Sequence, residues 1–188
     1  MDAVFLDISQ AFDKVWHPGL LHKWEHILPY NLLKSLESHF SDRNFFVKAK
    51  SESTDIYKIK SGVPQGSILG TVLYTLYTSD LPLSQYTYTA TFADDTVIMA
   101  VNKYPDIAST VLQQSLNGLQ EWIKPWGSMA NANKSPHITF TLKKVKCPSV
   151  SLNGSAIFQT EVVRYRGIHL DQRLHGPLIF LIKGNSCD

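Results

Sequence analysis

The order of periodic segments along this 188-residue chain predicts an α+β fold. Three observations carry that reading: an apolar run, Ala3 to Leu6, that ends on Asp7; a stretch from 86 to 101 with strand-like alternation; and a long helical stripe that starts at Pro105. The length suits one domain, or one domain with a short appendage.

Taken in order, Ala3–Leu6 reads as a buried strand with a carboxylate at its C-terminal edge. Pro18 opens a helix in which Leu20, Leu21, Trp24, Ile27 and Leu28 share a face until Pro29, and Asn31 can cap a second helix through Leu32, Leu33, Leu36 and Phe40. Residues 43–60 interleave Arg43, Lys48, Lys50, Lys58 and Lys60 with Phe45, Phe46, Ile56 and Tyr57, which predicts a hairpin with a basic face. Ser61–Ser67 is a loop, and Ile68–Tyr77 predicts a buried helix. The alternation Tyr86, Tyr88, Ala90, Phe92, then Val97, Met99, Val101 breaks at Asp94-Asp95, as in a hairpin with two carboxylates at its tip. Ile107, Val111, Leu112, Leu116, Leu119, Trp122 and Ile123 form one stripe ending at Pro125, and that helix should cover a sheet. Three strands are expected to follow, at His137–Leu142, Ser149–Leu152 and Val162–Leu170.

Composition excludes several classes. Hydrophobic residues make up 44% and charged residues 18%, far from the signature of disorder. The N-terminal residues carry no secretion signal and no apolar run is long enough to span a membrane, so an intracellular setting, nuclear or cytoplasmic, is expected. Cys147 and Cys187 are read as free thiols. Residues 1–133 hold 10 Lys and Arg against 13 Asp and Glu, whereas residues 134–188 hold 8 against 3, a gradient compatible with a polyanionic partner, although a modest basic patch is more often only a solvated face.

If the strand before Asp7 pairs beside the 86–101 hairpin, Asp7 and Asp94 project from neighbouring strand ends and would suit two Mg²⁺ ions, which stabilise the attacking and leaving oxygens of phosphoryl transfer. Hard oxygen ligands and retained water suit Mg²⁺, so two or three carboxylates suffice. The competing reading is that Asp94-Asp95 merely forms a turn. A zinc reading of His22-Lys23-Trp24-Glu25-His26 is weaker: Trp24 belongs to the apolar stripe and no downstream Glu is set out as a third ligand.

Phe5-Leu6-Asp7-Ile8-Ser9-Gln10-Ala11-Phe12-Asp13-Lys14-Val15, Ser61-Gly62-Val63-Pro64-Gln65-Gly66-Ser67-Ile68-Leu69-Gly70 and Phe92-Ala93-Asp94-Asp95 resemble, in order and spacing, motifs A, B and C of reverse transcriptases. The nearest resemblance is to the jockey-like group of non-LTR retrotransposons, and Asn133–Thr141 and Arg164–Asp171 resemble the later motifs D and E. The resemblance implies a palm-like antiparallel sheet packed on helices, with fingers and thumb largely missing. It implies RNA-directed DNA polymerase activity using two Mg²⁺ (or Mn²⁺), with an RNA template, a DNA primer and deoxynucleoside triphosphates as partners, no membrane, and an undetermined oligomeric state.

By the same resemblance Asp7, Asp94 and Asp95 are the catalytic and metal-binding acids. Phe12 resembles the residue under the incoming sugar that excludes a 2′-hydroxyl, and Gln65 and Gly66 resemble the loop against the template base and nucleotide. Lys134 resembles the lysine that protonates pyrophosphate, and Tyr165, Gly167 and Ile168 resemble the turn that grips the primer. The chain departs from the family in having Tyr165-Arg166-Gly167 where Tyr-Leu-Gly is expected, so Arg166 should carry the cost of a charge at an inward strand position. Likeness ends near Leu174. Residues 1–174 are thus expected to be a partial reverse transcriptase domain and 175–188 a poorly packed tail. Without fingers and thumb the isolated chain should not extend a primer, and the alternative is an inactive retrotransposon remnant that retains nucleic-acid affinity.

Overall fold

The computed structural model describes residues 1–143 and 147–174. The chain divides into two compact units, one formed by Met1–Ser9 with Leu81 onward and the other by Gln10–Asp80. The expected tail and Cys187 lie outside the described residues. In chain order the elements are β1 (Asp2–Leu6), α1 (His17–Trp24), α2 (Tyr30–Phe40), β2 (Asn44–Phe45), β3 (Lys48–Ala49), β4 (Glu52–Ser53), β5 (Tyr57–Lys58), α3 (Ile68–Tyr77), β6 (Thr87–Phe92), β7 (Asp95–Ala100), α4 (Pro105–Ile123), β8 (His137–Thr139), β9 (Ser151–Leu152), β10 (Ser155–Ala156), β11 (Val162–Tyr165) and β12 (Ile168–Asp171).

The first unit is built on an antiparallel sheet in the order β6-β7-β1-β8. Both faces of β1 are covered, which is why its sequence is a continuous apolar run rather than an alternation. On one face Val4, Leu6, Ile98 and Ala100 pack under Leu112, Leu116, Leu119 and Ile123 of α4. Each fully buried leucine there contributes about 1.5–3 kcal/mol of hydrophobic stabilisation. Proline at the first turn of α4 starts the helix without losing a hydrogen bond. The stripe sits one position off its expected start, because Ile107 is 47% exposed and Ala108 and Ser109 turn inward.

The other face, Ala3, Phe5, Val97 and Ile138, packs against Val163, Tyr165 and Leu170. Phe5 and Tyr165 meet edge to face, with ring centroids 5.3 Å apart. The strand expected over Val162–Leu170 is in fact the hairpin β11–β12, in register Tyr165↔Ile168. Its turn residues Arg166 and Gly167 have φ of 49° and 79°, the left-handed pair that a tight primed turn demands. Arg166 is therefore exposed at a turn, and the buried-charge cost expected of it does not arise. Likewise the strand expected over His137–Leu142 is limited to β8. On the outer strand β6 the alternating aromatics face out: Tyr88 is 68% and Phe92 50% exposed.

A polar cluster lies inside this unit. Asp2 is fully buried and its Oδ1 accepts from His137 Nε2 at 2.7 Å and Thr139 Oγ1 at 3.0 Å, with the Ser109 hydroxyl 3.2 Å from Oδ2. Since a carboxylate only accepts, His137 carries its hydrogen on Nε2. Cys147 is a free, buried thiol beside this cluster, and burial pushes its pKa up.

In the second unit α2 begins at Tyr30 behind Pro29, so Asn31 lies inside the helix rather than capping it. Residues 43–60 form two short ladders, β2–β5 and β3–β4, all exposed. Helix α3 occupies the expected residues but is buried on one side only, through Gly70, Leu73, Tyr74 and Tyr77, while Ile68 is 88% exposed. Its start is pressed against the preceding loop: a Cβ at Gly70 would come within 2.0 Å of the Pro64 carbonyl oxygen, so no side chain fits.

Candidate active site

Three carboxylates gather at one end of the four-stranded sheet. The β1–β7 ladder ends at the pair Leu6↔Thr96, so one step further Asp7 stands across from Asp95. In the β6–β7 hairpin Phe92 pairs with Asp95, leaving Ala93 and Asp94 as a two-residue turn. Ala93 adopts φ 52°, a left-handed conformation that costs an alanine roughly 1 kcal/mol and that holds the two acids at the tip.

Asp7 is fixed through its backbone. Its N–H donates to Ser135 Oγ at 3.0 Å, its carbonyl accepts from Asn131 N–H at 2.9 Å, and the Ser135 hydroxyl donates to Asn131 O at 2.8 Å. Ser135 and Asn131 were not among the sequence-predicted site residues. The cluster Asn131-Ala132-Asn133-Lys134-Ser135 is turn-forming in composition, yet nothing local to it points to a partner more than a hundred positions away.

Asp7, Asp94, Asp95 and Lys134 line one cavity of about 350 Å³, with Phe5, Val163, Arg164 and Tyr165 among the other walls. Burial lifts the Asp95 carboxyl above its ordinary range; the Asp94 charge pushes the same way, the Arg166 guanidinium opposes it, and Asp7 adds to the rise. Among the described residues no hydrogen bond or salt bridge from a protein donor reaches any of the three carboxylates. No group of three or more His, Cys, Asp or Glu among the described residues is placed to hold a metal ion by itself. The three acids thus line an open cavity rather than a closed cage, and carboxylate oxygens of this kind suit hydrated hard cations that need only one or two protein oxygens each.

Of the other predicted residues, Tyr165 lines this cavity, Gly167 forms the β11–β12 turn, and Ile168 pairs with Tyr165 and is 48% exposed. Phe12, Gln65 and Gly66 belong to the second unit. There Phe12 stacks on Tyr74 at 4.7 Å, and its carbonyl accepts from Val63 N–H, which ties the two predicted segments together. Gln65 Nε2 donates to Asp13 Oδ1 at 3.3 Å, and both line a groove with Arg43 and Pro64. Gly66 sits in the turn before α3 with φ 78°. His22 and His26 both approach Glu25 Oε1, at 3.1 and 3.2 Å, as an exposed surface cluster.

No helix among the described residues is long and apolar enough to cross a membrane. In solved structures the chain is similar to the apo telomerase of Candida tropicalis truncated from its C-terminal domain, with a TM-score of 0.62 at 16% identity over 93% of this chain and 34% of that one. It is also similar to the same organism's telomerase in complex with a fragment of telomeric RNA, with a TM-score of 0.58 at 16% identity over 93% of this chain and 29% of that one. These likenesses speak for the fold. Among curated relatives it is 39% identical to the RNA-directed DNA polymerase from mobile element jockey of Drosophila melanogaster over 178 residues, 90% of this chain and 19% of that protein. The same polymerase from Drosophila funebris is 39% identical over 179 residues, again 19% of its length. The chain spans about a fifth of the length of these relatives. The profile of the family described as reverse transcriptase (RNA-dependent DNA polymerase) matches residues 3–170, so the chain belongs to the reverse transcriptase family.

Proposed function

We propose that this chain is the palm segment of a mobile-element RNA-directed DNA polymerase, which adds deoxynucleotides to the 3′-hydroxyl of a DNA primer on an RNA template. One observation carries the proposal: Asp7, Asp94 and Asp95, from two separate stretches of sequence, line one cavity, and no donor among the described residues reaches their carboxylates. Uncompensated acids are costly, and such clusters are retained where a ligand supplies the missing charge.

Asp7 and Asp94 would hold the divalent ions, with Asp95 as the adjacent acid. When bound, Mg²⁺ or Mn²⁺ supplies charge stabilisation at the attacking and leaving oxygens of the displacement. Lys134, on the wall of the same cavity, is suited to bind the triphosphate and to deliver a proton to the departing pyrophosphate. Tyr165, with Gly167 and Ile168 beside it in the hairpin, is suited to orient the primer end, and Arg164 to contact its phosphates. Phe12, Gln65 and Gly66 take, by family likeness, the sugar-discriminating and template-facing roles.

The test is a chimera in which this chain replaces the matching stretch of the Drosophila melanogaster jockey polymerase. It should extend a primed RNA template with deoxynucleotides and Mg²⁺, and Asp94→Asn should lower the rate by about 10²- to 10³-fold. Extension indifferent to Asp94→Asn would refute the assignment. A chimera that binds primed template without extending it would favour the inactive remnant.

A further inference from the structure

Where the family resemblance leads to leucine, this chain places Arg166 at the tip of the β11–β12 hairpin. Its guanidinium carbon lies 3.2 Å from the centroid of the Phe92 ring. Phe92 is the last residue of β6, paired with Asp95 across the turn that carries Asp94, and it is half exposed. The stem of the β11–β12 hairpin is already fixed to the sheet by Tyr165 against Phe5. The tip has the Arg166–Phe92 stack. On the other side, β6 is an outer strand whose one neighbour among the described residues is β7, so its end is the least braced part of the carboxylate turn.

We propose that Arg166 is a positioning residue: stacked on Phe92, it clips the tip of the β11–β12 hairpin to the root of the β6–β7 turn and so sets where Asp94 and Asp95 stand at the cavity. The inference rests on the proposed polymerase reading for its functional meaning and on the stack alone for its mechanics. A planar guanidinium lies flat on an aromatic face as an ammonium does not, so the role is specific to arginine and not to positive charge. The Arg166 charge also acts on the Asp95 carboxyl, so removal of the charge and removal of the clip must be told apart.

The experiment compares the 188-residue chain with Arg166→Leu, Arg166→Lys, Phe92→Leu and the Arg166→Leu/Phe92→Leu double variant. Hydrogen exchange at the backbone amides of residues 94–96 should speed up by about 2- to 5-fold in all three single variants, with the double variant no faster than a single one. Unchanged exchange, or full rescue by lysine, would overturn the clip. In the same proteins Mn²⁺ is titrated while water-proton relaxation is followed. Arg166→Leu and Phe92→Leu should weaken its binding by a similar factor. If Arg166 acted only as a nearby positive charge, Arg166→Leu would tighten Mn²⁺ and Phe92→Leu would leave it unchanged, which also contradicts the proposal. Coupled exchange in a chain that binds no Mn²⁺ would support the clip and defeat the polymerase reading, so the two failures are distinguishable.

Discussion

One carboxylate opens β1 and another stands one residue past its end, and their surroundings are opposite. Asp2 is fully buried among His137, Thr139 and Ser109, each within hydrogen-bond distance of its oxygens. Asp7, five positions on, opens with Asp94 and Asp95 onto a cavity in which burial, and then the charges of Asp94 and Asp7, push the Asp95 carboxyl above its ordinary range. The sheet has satisfied one acid and left the other cluster wanting charge. Five steps of extended chain, about 3.3 Å each, separate an acid that the fold pairs from acids that line an open cavity.

The contrast can be broken first at Asp2. Asp2→Ala would leave the buried His137 ring and Thr139 hydroxyl without their acceptor, and each buried donor left unsatisfied costs about 1–3 kcal/mol, read together as a large fall in the denaturation midpoint. A fall under about 1 kcal/mol would show that the cluster is hydrated or weakly coupled. Next, Ser135→Ala removes the acceptor of the Asp7 backbone N–H, and a loss of about 1–3 kcal/mol is expected in urea titrations. No loss would mean that the Ser135 hydroxyl is not what holds the Asp7 N–H.

Two smaller effects should run the other way. Ala93→Gly relieves a left-handed alanine and should raise stability by up to about 1 kcal/mol, an increase that any lowering of the midpoint would contradict. Asp95→Asn sharpens the comparison through pH. Because the folded-state pKa of Asp95 is raised, the folded state binds its proton more tightly than the unfolded one. Wild-type stability is therefore penalised at neutral pH, and the penalty fades as pH falls through the raised folded-state value towards the ordinary Asp range. In metal-free buffer Asp95→Asn should thus raise the midpoint slightly at neutral pH, and the gain should vanish on acidification. A gain that grows in acid would reverse the sign of the argument.

Much of this architecture was legible from periodicity. Helix α4 and the β6–β7 hairpin follow from patterns long enough to fix a period, and the approach of Asp7 to Asp95 follows once β1 is set beside β7. Periodicity read Val162–Leu170 as one strand and missed the β11–β12 turn, which the family resemblance alone suggested, because arginine in a left-handed position carries no local signal and Gly167 alone marks the bend. Helix α3 shows the limit of composition: apolar residues on every side of Ile68–Tyr77 suggested burial all round, while Ile68, Leu69 and Val72 are exposed. The Asp2–His137 pair spans 135 positions and rests on β8 adding to β1, a pairing that no local pattern announces.

The central claim is that the acids beyond the C-terminal end of β1 are a cation site whereas the acid at its start is not. Thermal unfolding of the 188-residue chain with increasing Mn²⁺ tests this directly, since an ion bound only by the folded state stabilises it by about 2.7 kcal/mol at a hundredfold excess over Kd. The midpoint should climb with Mn²⁺ in the wild type and stay flat in Asp7→Asn and Asp94→Asn. A wild-type midpoint that does not move, or one that climbs equally in Asp94→Asn, would contradict the account.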